Sequence, residues 1–173
     1  MLQPTSFSVT ASEWYLLADW CKQHQVRSVL EFGPGYSTTA FAQAGRRVVS
    51  CEGNQEYFDL YAPALKELGV QLAWYEESSF DLRIEGVDGT KFDLGFVDAP
   101  KSSRWPLLPR VNTALYCLRC CRLIAVHDTT RLPDRMTVGA LISLGCSVVA
   151  ENQGEKGLML LTNPYWADHG EPA

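Results

Sequence analysis

The stretch Val29-Leu30-Glu31-Phe32-Gly33-Pro34-Gly35-Tyr36-Ser37-Thr38-Thr39 constrains the chain more than any other, because an apolar run breaks into glycines and then resumes as a helix. Residues 28–32 read as a buried parallel strand, since large apolar and β-branched side chains run almost continuously instead of alternating. Gly33 and Gly35 leave bare backbone where a ligand can approach, and Ser37 or Thr38 can cap the helix that follows. Glu31, where the strand stops, is expected to aim a carboxylate at the occupant of the turn. Such a group disfavours a pyrophosphate and suits a ligand carrying positive charge.

The strand-then-polar-turn pattern recurs along the chain. Thr10-Ala11-Ser12-Glu13 matches a capping box and opens a helix to about residue 25, with Trp14, Leu17, Ala18 and Cys21 on one face. A short helix over 38–44 follows the glycine turn. A second strand, 47–51, stops at Glu52, and Asn54 caps a helix through Leu68 with Pro63 as a kink. That helix offers Tyr57, Leu60, Tyr61, Leu65 and Leu68 as candidates for its inner face. Further strands are expected at 70–75, leading into Glu77 and Ser78, at 92–97, ending at Asp98, and at 123–126, ending at His127-Asp128. Helices over 108–120 and from Pro133 to about 144 separate them, and 147–150 with 158–161 form a closing hairpin. The alternation predicts an α/β fold: a Rossmann-like, doubly wound, mostly parallel seven-stranded sheet with a C-terminal antiparallel hairpin, in one domain with its core over about 10–162. Open sheets of this kind bind ligands beyond the carboxyl ends of their strands, where Glu31, Glu52, Glu77, Asp98, His127 and Asp128 all fall.

Charge distribution says more than its total. The chain carries −5, yet residues 99–135 hold seven Lys and Arg against Asp128 and Asp134 alone, a local excess of +5. That stretch is either a solvated basic face or a lure for an anionic small-molecule substrate. The overall acidity argues against nonspecific nucleic-acid binding. No apolar run approaches the about 20 residues of a membrane helix, and the N-terminus lacks a basic region followed by an apolar stretch, so a cytoplasmic protein with no membrane partner is expected, as a monomer or a homo-oligomer. The six cysteines are too few and too irregular for a disulfide scaffold, and Cys117-x-x-Cys120-Cys121 has no second pair at metal-ligand spacing, which leaves buried free thiols.

A dinucleotide site would need a third glycine three positions after Gly35, where Thr38 stands. Glu52, placed to contact a ribose, keeps an NAD-type oxidoreductase open as an alternative. S-adenosylmethionine fits better, because it has a ribose and an adenine but no phosphate, and its amino-acid end carries an ammonium group.

Glu31-x-Gly33-x-Gly35-x-Ser37, Glu52, the strand ending at Asp98 and the strand ending at His127-Asp128 together resemble class I S-adenosylmethionine-dependent methyltransferases, over about residues 10–162. By that resemblance Glu31, Gly33, Gly35 and Ser37 hold the methionine part, Glu52 accepts from the ribose hydroxyls, and Glu77 and Ser78 approach the adenine. Asp98-Ala99-Pro100-Lys101 and His127-Asp128 are similar to the metal ligands and lysine base of small-molecule O-methyltransferases that use a divalent cation. The resemblance thus implies a metal held by Asp98, His127 and Asp128, with Lys101 as catalytic base. Oxygen ligands suit Mg, whereas a histidine in the set favours Mn, and His127 could instead be the general base. A degenerate methyltransferase fold acting as a binding subunit is the non-enzyme alternative. Residues 1–10, 99–106 and 128–135 are the segments that could form a lid.

Overall fold

The computed structural model describes residues 9–77, 79, 81–100 and 110–166. Seven strands form one sheet in the order β3-β2-β1-β4-β5-β7-β6. Its members are β1 (Ser28–Phe32), β2 (Arg47–Glu52), β3 (Gln71–Trp74), β4 (Phe92–Val97), β5 (Cys121–His127), β6 (Ser147–Asn152) and β7 (Leu158–Thr162). The first five run parallel, and β7 lies antiparallel between β5 and β6. The order reverses at β1 and β4, where crossovers leave in opposite directions and open a crevice at the carboxyl edge.

Five helices cover the two faces: α1 (Ala11–Gln23), α2 (Tyr36–Gln43), α3 (Gln55–Glu67), α4 (Val111–Cys120) and α5 (Leu132–Ser143). Leu17, Trp20 and Cys21 of α1, Phe41 of α2 and Leu65 of α3 pack with Val29, Leu94, Phe96, Leu123 and Ala125 on one side. Ala114, Cys117 and Leu118 of α4 and Val138 and Leu141 of α5 pack with Leu30, Phe32, Val97, Ile124 and Val126 on the other. Successive strand residues thus feed opposite layers, and a sheet buried on both faces reads as a continuous apolar run.

The expected element order holds, with local differences. The capping box at Thr10 and Glu13 and the cap at Asn54 both form. Pro63 lies inside α3, as expected. On α3 only Leu65 is buried, whereas Tyr57 and Leu60 face outward, because a short edge strand leaves little sheet for that helix to cover. Helix α2 begins at Tyr36 with Gly35 as its N-cap, and Thr38 accepts the Gly35 N–H from inside the first turn at 2.8 Å instead of capping from in front. The segment after β5 is no lid. Thr129 and Thr130 donate their backbone N–H groups to Gly157 and Lys156 in the β6–β7 turn, and α5 starts immediately afterwards. The other two lid candidates fall mainly outside the described residues. All six cysteines are buried free thiols, and among the described residues no helix is long and apolar enough to cross a membrane.

Gly95, in the middle of β4, shows how tightly α4 sits on the sheet: a Cβ there would lie 2.5 Å from Cys117 Sγ and 3.0 Å from Cys121 Sγ. Gly95→Ala should destabilise the fold by about 1–3 kcal/mol through overpacking. Thermal melting checks this, and an unchanged midpoint would show that α4 can move aside freely.

Candidate functional site

At the turn after β1, Gly33 adopts φ +94°, and a Cβ there would approach Ala99 Cβ to 2.8 Å. Glycine is required at this position by the backbone and by its neighbour. Gly35 differs: it is extended, and a Cβ there would meet nothing within 4 Å. Among the described residues, open space therefore lies in front of Gly35.

Glu31 does not face that space. Its carboxylate is fully buried and accepts from the hydroxyls of Ser37, Thr38 and Ser50, the last at 2.9 Å. Burial pushes its pKa up from 4.5 to about 7, against the lowering effect of the three hydroxyls. Through these three hydroxyls Glu31 welds β1, β2 and the first turn of α2 together. Ser37, whose hydroxyl is one of the three, is buried with it.

Glu52 ends β2 beside this turn, since Phe32 and Cys51 are register partners. It is 6% exposed, and its Oε1 accepts from the N–H groups of Gly53 at 2.9 Å and Asn54 at 2.8 Å. A Cβ on Gly53 would collide with the Glu77 side chain, so the two carboxylates are neighbours. Burial first, and then the charges of Glu52 and Glu76, raise the Glu77 pKa. Ser78 lies outside the described residues.

Across the crevice, the carboxyl ends of β4 and β5 bring Asp98, His127 and Asp128 together, with one ligand atom from each lying within 4.8 Å of the others. His127 Nδ1 is 2.9 Å from Asp98 Oδ1 and 3.7 Å from Asp128 Oδ1, while Nε2 is 3.3 Å from Glu13 Oε2. The imidazole is fully buried. Burial alone would lower its pKa, but hydrogen bonds to Asp98 and Glu13 outweigh that and raise it from 6.5 to about 9. Glu13 moves the other way, from 4.5 to about 2: burial opposes its charge, and His127 and Thr10 more than compensate. With Nδ1 on Asp98 and Nε2 on Glu13, both ring nitrogens are engaged by carboxylates, which favour the protonated ring that acts as their charge partner. Lys101, the other candidate base, lies outside the described residues.

Two participants escaped the sequence motifs. Glu13 read only as a capping residue, and Arg110 only as one of seven basic residues in its stretch. Arg110 is fully buried: Nη2 donates to Asp98 Oδ1 at 3.1 Å and Asp128 Oδ2 at 2.8 Å, Nη1 donates to the His127 carbonyl at 2.7 Å, and Nε is 3.3 Å from Asp134 Oδ1. A divalent cation bridging Asp98 and Asp128 does not fit alongside this guanidinium. Asp128 itself has φ +59°, a left-handed conformation that Asp tolerates better than most residues.

No protein-family model matches the sequence, and no curated protein matches it. Solved structures do match. A protein from Klebsiella pneumoniae described as "a putative O-methyltransferase" aligns at 20% identity over 92% of this chain and 83% of that one, with a TM-score of 0.69. The O-methyltransferase from Bacillus cereus in complex with SAH aligns at 18% identity over 91% and 84%, with a TM-score of 0.64. The fold is that of these methyltransferases. The SAH-bound methyltransferase from Podospora anserina shares it too, at 16% identity over 90% and 80% of the two chains and a TM-score of 0.61. The expected sheet, with its antiparallel β7, is therefore borne out both by the strand order and by the company the chain keeps.

Two windows of pH dependence follow from the buried groups. Glu31 binds its proton more tightly folded than unfolded, so stability falls from about pH 4.5 to about 7 as that proton is lost. For His127 the raised pKa stabilises fully below 6.5, and this contribution is lost as pH rises through about 9. Urea melts of the wild type and of His127→Asn should differ in slope across the second window only. Parallel curves from pH 6.5 to 9 would refute the charge-partner role.

Proposed function

We propose that this chain is an S-adenosylmethionine-dependent methyltransferase acting on an oxygen of a small molecule. The observation that carries this reading is the pairing of the open Gly35 turn with Glu52 at the end of the neighbouring strand. The Glu52 carboxylate is oriented by two backbone N–H groups, and this suits a ligand with a ribose diol, whose two hydroxyls a carboxylate can accept together. Gly33 and Gly35 let the amino-acid end of the cofactor approach the backbone. Glu31 and Ser37 hold that turn in shape from behind, and Glu77 with Ser78 flanks the adenine end. The fold shared with SAH-bound enzymes supports the same choice of cofactor. A cytoplasmic location is part of this reading.

The cofactor brings an activated methyl group on a sulfonium sulfur. Transfer breaks the carbon–sulfur bond, leaves the electron pair on sulfur, and forms a carbon–oxygen bond to the acceptor. The chain's work is to align the acceptor oxygen with the methyl carbon and to take the hydroxyl proton. We assign the proton to Lys101, three residues beyond Asp98 on the segment that leaves β4, because His127 is occupied. Asp98 and Asp128 act as anchors of the charged cluster that fixes the crevice wall. The basic residues between 99 and 135 favour an anionic acceptor.

One observation favours a second reading. With His127 locked between carboxylates, a chain whose Lys101 does not reach the crevice would bind the cofactor without turning over, as a binding subunit.

Isothermal titration with S-adenosylhomocysteine tests the cofactor, with NAD as the competing ligand. Binding of the former alone is expected, and a preference for NAD would select the oxidoreductase. Glu52→Ala should weaken S-adenosylhomocysteine binding by roughly 10- to 150-fold, the loss of a charged hydrogen-bonding group. In a screen for methyl transfer to phenolic and carboxylic acceptors, Lys101→Met should lower turnover by about 10²–10⁴-fold with cofactor affinity unchanged. Wild-type protein that binds the cofactor and methylates none of them would support the binding subunit.

A further inference from the structure

A fully buried guanidinium stands between the described carboxylates Asp98 and Asp128, and it occupies the position where the resemblance implies a metal. Nη2 of Arg110 lies 3.1 Å from Asp98 Oδ1 and 2.8 Å from Asp128 Oδ2, so a single nitrogen bridges two carboxylates as a bound cation would. The remaining faces of the group are also engaged, by the His127 carbonyl through Nη1 and by Asp134 beside Nε. Asp128 Oδ2 is shared with a second arginine, Arg131, at 3.2 Å, and Arg131 Nε lies 3.1 Å from Asp134. The third prospective metal ligand, His127 Nδ1, is turned onto Asp98 Oδ1.

We propose that Arg110 takes the place of the divalent cation, so that this site works without Mg or Mn and holds its acidic residues together by a permanent charge of the chain itself. An entering ion has two routes. It can displace the guanidinium, which has no exposed surface and no water to retreat to, so that a buried charge loses the partners that offset its desolvation. Or it can enter beside the guanidinium and place two positive groups within a few ångströms of each other in a poorly screened interior. Arginine cannot escape this by giving up its proton. The two arginines already offset the acids where an ion would sit: Arg110 pairs with Asp98, Asp128 and Asp134, and Arg131 with Asp128 and Asp134.

The inference rests on the methyltransferase reading in one respect. If the chain methylates an oxygen, the acceptor is oriented by side chains alone, with no need for the vicinal pair of oxygens that chelates a metal. The exclusion of the cation rests on the geometry of Arg110.

The test uses the full chain after EDTA treatment and reads the free Mn²⁺ signal by electron paramagnetic resonance. Wild type should bind no Mn²⁺ more tightly than about 1 mM. S-adenosylhomocysteine affinity should agree within about twofold in EDTA and in Mg²⁺, because neither depends on a bound ion. Arg110→Gln, which keeps hydrogen-bonding capacity and loses the charge, should gain Mn²⁺ affinity at least about tenfold, and Asp128→Asn on that background should abolish the gain. One tightly bound Mn²⁺ per wild-type chain, lost in Asp128→Asn, would overturn the proposal, as would Arg110→Gln binding no better than wild type. If Arg110→Gln does not fold, the wild-type titration decides alone. Failure of S-adenosylhomocysteine to bind under either condition would count against the methyltransferase reading, while the Mn²⁺ titration still decides the cation question.

Discussion

A guanidinium without solvent access has to be met by the protein on every side, and this requirement organises the carboxyl edge of the sheet. Arg110 draws in the end of β4 through Asp98, the end of β5 through the His127 carbonyl and Asp128, and the first turn of α5 through Asp134. His127 then extends the cluster to α1 through Glu13. Removing any one partner leaves charge buried and uncompensated, so the elements are held in a single arrangement. Such clusters add little net stability compared with an apolar core of the same volume.

The other half of the crevice is built on the opposite principle. Glu31 is surrounded by neutral hydroxyls, and its proton affinity rises because burial penalises its charge more than those hydroxyls favour it. Glu52, one strand away, is gripped by backbone amides and kept at the rim. Two glutamates at the ends of adjacent strands are thus held in different ways, one stiffening the turn from within through hydroxyls and one fixed by the backbone amides that follow it. Across the sheet the charged cluster does for β4 and β5 what Glu31 does for β1 and β2.

Most of this fold was legible in the residues because strand and helix periodicities differ and the caps are chemically explicit. Thr10 with Glu13, Asn54 and the glycine turn each mark an element's start by a hydrogen bond that the sequence can be seen to offer. The convergence of Asp98, His127 and Asp128 followed from strand ends alone. What the sequence concealed was direction. A carboxylate at a strand end can turn inward or outward, and the hydroxyls that turn Glu31 inward lie 6, 7 and 19 residues away. Glu13 meets His127 across 114 residues, so its second function cannot be read from a capping pattern that was already complete. Arg110 was hidden among seven basic residues that look alike in the sequence, and only the sheet order places it between two strand ends.

Gly33 packs so closely on Ala99 that even a methyl group has no room between them. The tips of β1 and β4 are therefore wedged against each other at the centre of the sheet, where the crossovers diverge. Any residue larger than glycine at position 33 would have to part those tips, so the distance between the two strand ends at the crevice is set by the smallest residue there is.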